Sequence, residues 1–269
     1  MLGSKVMSLK NKIRLWVQGA FFSFCLFGQV LMAGASGFSD WDVLLKKYVG
    51  TTTVHGVTLN AFPYKDLKGD PGFQKVVDQL KSASVQDLTT REQKLSFWIN
   101  VYNILAAKVV VDNYPVESIN DVGSIFKRVW KRPAGVVDGK MRTLDEVEHE
   151  ILRKMGDPRI HVAIVCASVS CPDIRKEAYT AERLDEQLDD QVRKFLENVE
   201  KGMKIDEKRK RVYLSSIFKW FEEDFESQGG VISFVSRYAP PSKKEGLQKF
   251  GKNVKYLDYD WDLNELTAR

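Results

Sequence analysis

Histidine and cysteine are scarce, with three of each in 269 residues. With no HExxH motif and no CxxC pair, there is little from which to build a metal centre. The one set that could supply ligands is Glu148, His149 and His161 with a cysteine thiolate. Basic side chains are fewer than the total suggests, because four of them (Lys5, Lys10, Lys12 and Arg14) lie in the first 35 residues, where no acid accompanies them. Beyond that segment no basic stripe interleaved with aromatics occurs, which argues against a nucleic-acid partner. The Lys208-Arg209-Lys210-Arg211 cluster reads as a solvated turn. Internal repeats and low-complexity tracts are also lacking, and nothing calls for a cofactor.

What is present begins with a leader. A basic head is followed by a largely apolar run from Leu15 to Met32 and by Ala33-Gly34-Ala35, the three parts of a secretory signal. The run approaches the ~18–20 residues needed to span a bilayer, so a retained anchor is the rival reading. Gln18, Gly19, Gly28 and Gln29 weaken it. The expectation is therefore a signal peptide over residues 1–35 and a single exported domain over 36–269, periplasmic or extracellular, monomeric and free of the membrane. Removing the leader lowers the net charge from +5 to +1.

Cys25 leaves with the leader, and two thiols remain, Cys166 and Cys171. They follow Ile160 to Val165, a β-branched apolar run opened by Asp157-Pro158 and closed by small hydroxyl residues, which reads as a central strand buried on both faces. In a straight strand the five-residue separation would hold their Cα atoms ~16 Å apart, beyond the ~7 Å limit for a bridge. A turn at Ala167 to Ser170 is required for a disulfide.

Thr90 to Val111 reads as a helix that is apolar nearly all round, hence central. It carries Asn100 and Asn103 on one side, spaced i, i+3. Buried amides need partners, so these two either tie the helix to neighbouring backbone or bind a substrate. Thr143-Leu144-Asp145-Glu146 is a capping box for a helix with the stripe Leu144, Val147, Ile151, Leu152 and Met155. Glu148 falls inside that stripe and His149 at its edge. A carboxylate so placed must meet a cation, a histidine, a metal or a set of donors. Arg159 and Lys108 are the candidate cations.

The remaining pattern gives helices over Asp40 to Tyr48, Asp70 to Leu80, from Thr180 through Leu196, and Ile217 to Phe225, with a short one ending at Tyr238. Strands are expected near Val54 to Ala61, Val129-Trp130, Val136 to Met141 across an Asp138-Gly139 turn, Val212 to Leu214 and Val254 to Trp261. The sum is an α+β domain, helices packed on a small mixed sheet with Ile160 to Val165 at its centre.

Several stretches together resemble the domain of unknown function 547 family: Phe97-Trp98-Ile99-Asn100-Val101-Tyr102-Asn103; Leu144 to His149 with Leu152-Arg153; Asp157-Pro158-Arg159-Ile160-His161 through Cys166 and Ser170-Cys171-Pro172; Phe218-Lys219-Trp220 with Asp224-Phe225; and Tyr259-Asp260-Trp261 with Leu263-Asn264. The resemblance implies no settled activity. Some relatives join such a domain to glutaredoxin-like modules, which favours thiol chemistry.

Three function classes follow. In the first, a thiol hydrolase or transferase acts on an amide or ester. Cys171, before Pro172 and a possible helix N-terminus, or Cys166 is the nucleophile; His161 is the base, with His149 as alternative; Glu148 orients the histidine. Asn100, Asn103, His149 and Arg159 are the candidate binding residues. In the second, Cys166 and Cys171 form a structural disulfide in a non-catalytic domain that binds a small molecule or peptide. The third is the metal site named above.

Overall fold

The helix Arg91–Asn113 decides where the other elements lie. Thr90 starts it with a complete capping box, its side chain accepting from Gln93 N while the Gln93 side chain accepts from the backbone N–H of Thr90. Sixteen of its residues are buried, on all sides. It is long and apolar enough to cross a membrane by composition, yet its apolar stretch is mostly covered by the rest of the protein. The helices Tyr64–Lys68 and Pro71–Lys81, the strand Pro133–Val137 and the helical turn Glu146–Leu152 pack around it. Each Val, Leu or Ile so covered contributes about 1.5–3 kcal/mol.

The computed structural model describes residues 37–123 and 128–266, and the expected signal peptide lies outside them. The α+β class holds. The strands form three small separate sheets: the antiparallel hairpins Gly50–Val54 with Val57–Ala61 and Pro133–Val137 with Lys140–Thr143, and a mixed sheet of Met203–Asp206, Arg211–Leu214 and Val254–Tyr256. Helix Leu184–Glu197 joins the two main cores, giving Leu184 and Leu188 to one and Val192, Phe195 and Leu196 to the other.

The expected central strand is not there. Pro158–Val162 is a tight 3-10 turn, with Asp157 capping it by accepting from Arg159 N at 3.1 Å. Ile160 to Val165 is buried as expected, but under the central helix rather than inside a sheet. Its β-branched residues record burial, not extension. Asn103 takes the place of a neighbouring strand: its amide nitrogen donates to Ala163 O at 3.0 Å and its oxygen accepts from Val165 N at 2.8 Å. Val129–Lys131 is likewise a 3-10 turn, and helix Leu184–Glu197 begins four residues after Thr180. The final expected strand ends at Tyr256, and an additional helix follows the proline pair at Pro241–Phe250.

Replacing Asn103 by Ala leaves two buried backbone groups unpaired, at roughly 1–3 kcal/mol each. Chemical denaturation is expected to show a loss of about 2–6 kcal/mol. Asn103→Asp, which cannot donate to Ala163 O, is expected to be destabilised as well.

Candidate active site

The turn between the cysteines is made at Ala167, whose φ of 63° is left-handed, and is closed by Cys171 N donating to Ser168 O at 3.1 Å. It brings the two Cα atoms to 6.2 Å and the sulfurs to disulfide distance. The C-terminal segment then zips onto this turn. Val169 N donates to Asp262 O at 2.9 Å, Asn264 N to Ala167 O at 3.0 Å, and Asp260 N to Ser170 Oγ at 2.9 Å. That zipper delivers the Tyr259 hydroxyl to 3.3 Å from both sulfurs and within 3.1 Å of Ser168 Oγ. Cys171 is buried and also accepts from Cys166 N at 2.9 Å, whereas Cys166 is half-buried. No helix starts after Pro172, so the helix terminus expected to support a Cys171 thiolate is missing.

Because Pro158–Val162 is a 3-10 turn, His161 and Cys166 are not forced to opposite faces, and both line one pocket of about 390 Å³, within the usual range for small-molecule sites. His161 is almost fully buried and stacks on Phe221 at 4.0 Å between ring centroids. Its Nε2 lies 2.7 Å from Asp224 Oδ2. Arg153 grips the same carboxylate twice, Nε to Oδ2 at 2.7 Å and Nη2 to Oδ1 at 2.8 Å. Arginine and histidine bonds hold Asp224 well below the usual carboxylate range, outweighing its partial burial. Burial, and then the Arg153 charge, push the His161 pKa down despite Asp224. Burial, the largest of these effects, disfavours the imidazolium and so favours the neutral ring. With Nε2–H donated to Asp224, Nδ1 carries a bare lone pair, and no protein group satisfies it.

Glu148 sits on a stretch wound as a wide π-turn, Glu146–Leu152, a geometry frequent at functional sites. Glu146 N donates to Thr143 Oγ1 at 3.0 Å at its start, as the capping pattern implies. Glu148 is not paired with Arg159 or Lys108 and does not orient His161. Arg159 binds Asp157, Asp185 and Asp189, and Lys108 binds Asp112. What reaches Glu148 is the Tyr102 hydroxyl, donating at 3.3 Å. Burial raises its pKa to about 7, against the opposing pull of Tyr102 and Arg153 and with help from Asp145 and Asp224. His149 Nδ1 accepts from Arg153 Nη1 at 3.2 Å.

Thus Cys166, Cys171, His161, Glu148 and His149 are brought to one pocket, and Asn100, Asn103 and Arg159 are not among its lining residues. Asn100 pairs with Tyr179, donating to its O at 2.8 Å and accepting from its N at 3.0 Å. Asp224, Arg153, Tyr259 and the rings of Trp130, Trp220 and Trp261 were missed as site residues. Arg153, Trp220, Asp224, Tyr259 and Trp261 all lie in the stretches that carry the family resemblance, which was the signal available, but no local spacing tied them to the cysteines. Among the described residues, the group that could hold a metal ion is His55, Asp260 and Asp262, outside this pocket, not the set built on Glu148.

The raised Glu148 pKa fixes a sign. Between its ordinary value of 4.5 and about 7 the folded protein keeps a proton that the unfolded chain releases, so this stability contribution is present at low pH and lost as pH rises through that window. Melting temperatures measured from pH 5 to 7 are expected to fall in the parent protein and to fall less in Glu148→Gln. Parallel curves would assign the effect to another group.

No curated protein and no solved structure matches the chain. A family model described as a protein of unknown function, DUF547, matches residues 85–196, which include the central helix, Glu148, His161 and both cysteines but not Asp224, Trp220 or Tyr259. Over that stretch the chain resembles the DUF547 family, whose description assigns no activity.

Proposed function

We propose that the chain is an exported thiol-dependent hydrolase or transferase acting on an amide or ester. The observation that carries this reading is the buried His161, held through Nε2 by Asp224, with a buried Nδ1 that has no hydrogen-bond partner, in the lining of a pocket that also contains both cysteines. Acyl transfer to a side chain requires an oriented base that can reach the nucleophile; in the bridged form Nδ1 is hydrogen-bonded to neither sulfur, so the reading requires Cys166 to turn toward His161 once the bridge opens. Cys166, the more accessible sulfur, is the nucleophile, and Asp224 replaces Glu148 as the group that positions the base.

The bridged state is the resting form. Two equivalents of a small thiol open it, supplying two electrons and two protons and leaving as their own disulfide. Nδ1 of His161 then takes the proton from Cys166 Sγ. The thiolate attacks the carbonyl carbon, a C–S bond forms, and the C–N or C–O bond breaks. Glu148, protonated up to about pH 7, gives its proton to the leaving group. Water or an acceptor amine or alcohol releases the acyl group from sulfur.

A second reading has support of its own: Cys171 is buried and Tyr259 hydrogen-bonds both sulfurs, which suits a structural bridge in a binding domain. Alkylation with iodoacetamide at pH 7, resolved by site with mass spectrometry, separates the two. Expected is no modification before reduction and, after brief reduction, modification of Cys166 ahead of Cys171. His161→Ala is expected to slow the Cys166 reaction by roughly tenfold or more, and Asp224→Asn to slow it as well. Slow reaction at both cysteines, indifferent to His161→Ala and accompanied by a lower melting temperature on reduction, would establish the structural bridge instead.

A further inference from the structure

The thiol chemistry does not use the aromatic wall of the pocket. Trp220 and Trp261 lie nearly parallel, with ring centroids 5.7 Å apart at 18°. Tyr259 leans on both, at 4.7 and 4.5 Å, and Trp130 extends the surface from Trp261 at 6.3 Å. Trp220 remains 47% exposed. An indole left in water beside other rings forgoes apolar burial that a flat ligand would restore.

The charges around this wall restrict the ligand. Arg128 and Lys131 bring two exposed cationic side chains to the pocket, and Asp145 and Glu148 bring the carboxylates. Burial raises the Glu148 pKa to about 7, so it is about half protonated at neutrality and largely so below it, which leaves the balance positive. A saccharide would also stack on tryptophan and hydrogen-bond to charged side chains, which makes it the competitor that the test includes. Among the described residues, no Asn, Gln, Ser or Thr lines the pocket. A quaternary cation suits the rings but meets Arg128 and Lys131.

We propose that the pocket selects acyl compounds in which a planar aromatic ring stands beside a carboxylate. The ring packs on Trp220, Trp261 and Tyr259, and the carboxylate meets Arg128 and Lys131. This specificity rests on reading the pocket as an acyl-transfer site, but it can be measured without turnover.

The test uses the bridged, unreduced protein, titrated calorimetrically and by tryptophan fluorescence with four probes: N-acetylphenylalanine, its amide, N-acetylglycine and N,N′-diacetylchitobiose. N-acetylphenylalanine is expected to bind roughly tenfold or more tighter than either the amide or N-acetylglycine. Trp220→Leu is expected to weaken it by about tenfold. The double variant R128A/K131A is expected to reduce its affinity to that of the amide while leaving the amide unchanged. Both sets of substitutions lie at the surface, and far-UV circular dichroism melting checks that the fold is kept. A preference for the disaccharide, equal binding of acid and amide, or indifference to all three substitutions would overturn the proposal. Selective binding without reactive thiols after reduction would remove the catalytic reading and keep this one. Reactive thiols without the ring-and-carboxylate preference would do the reverse.

Discussion

Two buried asparagine side chains hold the site to its scaffold. Each amide of Asn100 and Asn103 presents one donor and one acceptor, as the edge of a peptide unit does, and each pairs with the backbone of a segment that has no strand beside it. Irregular chain buried against an apolar helix would otherwise hold unsatisfied N–H and C=O groups at several kcal/mol each. The cysteine turn runs between these two anchor points, at residues 163–165 and at Tyr179. Its position therefore derives from a rigid 23-residue helix and not from the loop's own preferences, which is how a loop can hold reacting atoms in place.

The electrostatics of the pocket follow from burial and one guanidinium. Arg153 saturates both oxygens of Asp224 and also reaches His149. Burial is the largest influence that favours the neutral form of His161, Asp224 opposes it, and the Arg153 charge adds to it. With Arg153 in place, Asp224 still accepts from Nε2 and fixes the tautomer, yet its charge is balanced. The ring stays neutral with its lone pair at Nδ1. Phe221 lies under the imidazole and has the Arg153 guanidinium 5.3 Å from its own ring, so one aromatic side chain supports both members of the arrangement.

Much of this was legible in the residues themselves. The central helix showed in its lack of a polar face, the partial burial of Glu148 in its place inside a helical stripe, and the turn between the cysteines in the reach that a bridge demands. What could not be read was which long-range partner each buried polar group would find. Asp224 is 63 residues from His161 and Tyr259 is 88 from Cys171, and no local period connects them. The misassigned strand at Ile160 to Val165 has a related cause. Apolar β-branched runs report that a segment is covered, and the side chain of Asn103, distant in sequence, decided that helix rather than sheet would cover it.

The sulfurs also have unequal surroundings. Cys171 is the inner atom, receiving the backbone N–H of Cys166 and the hydroxyl of Tyr259. Donors of this kind favour a thiolate, so once the bridge is open the inner sulfur is suited to hold negative charge. Cys166, half-buried in the pocket wall, is the more exposed of the two. The same donors that steady the closed bridge thus favour charge on Cys171 once it is opened, and the bridge reforms only when a disulfide oxidant takes up the two electrons and two protons released.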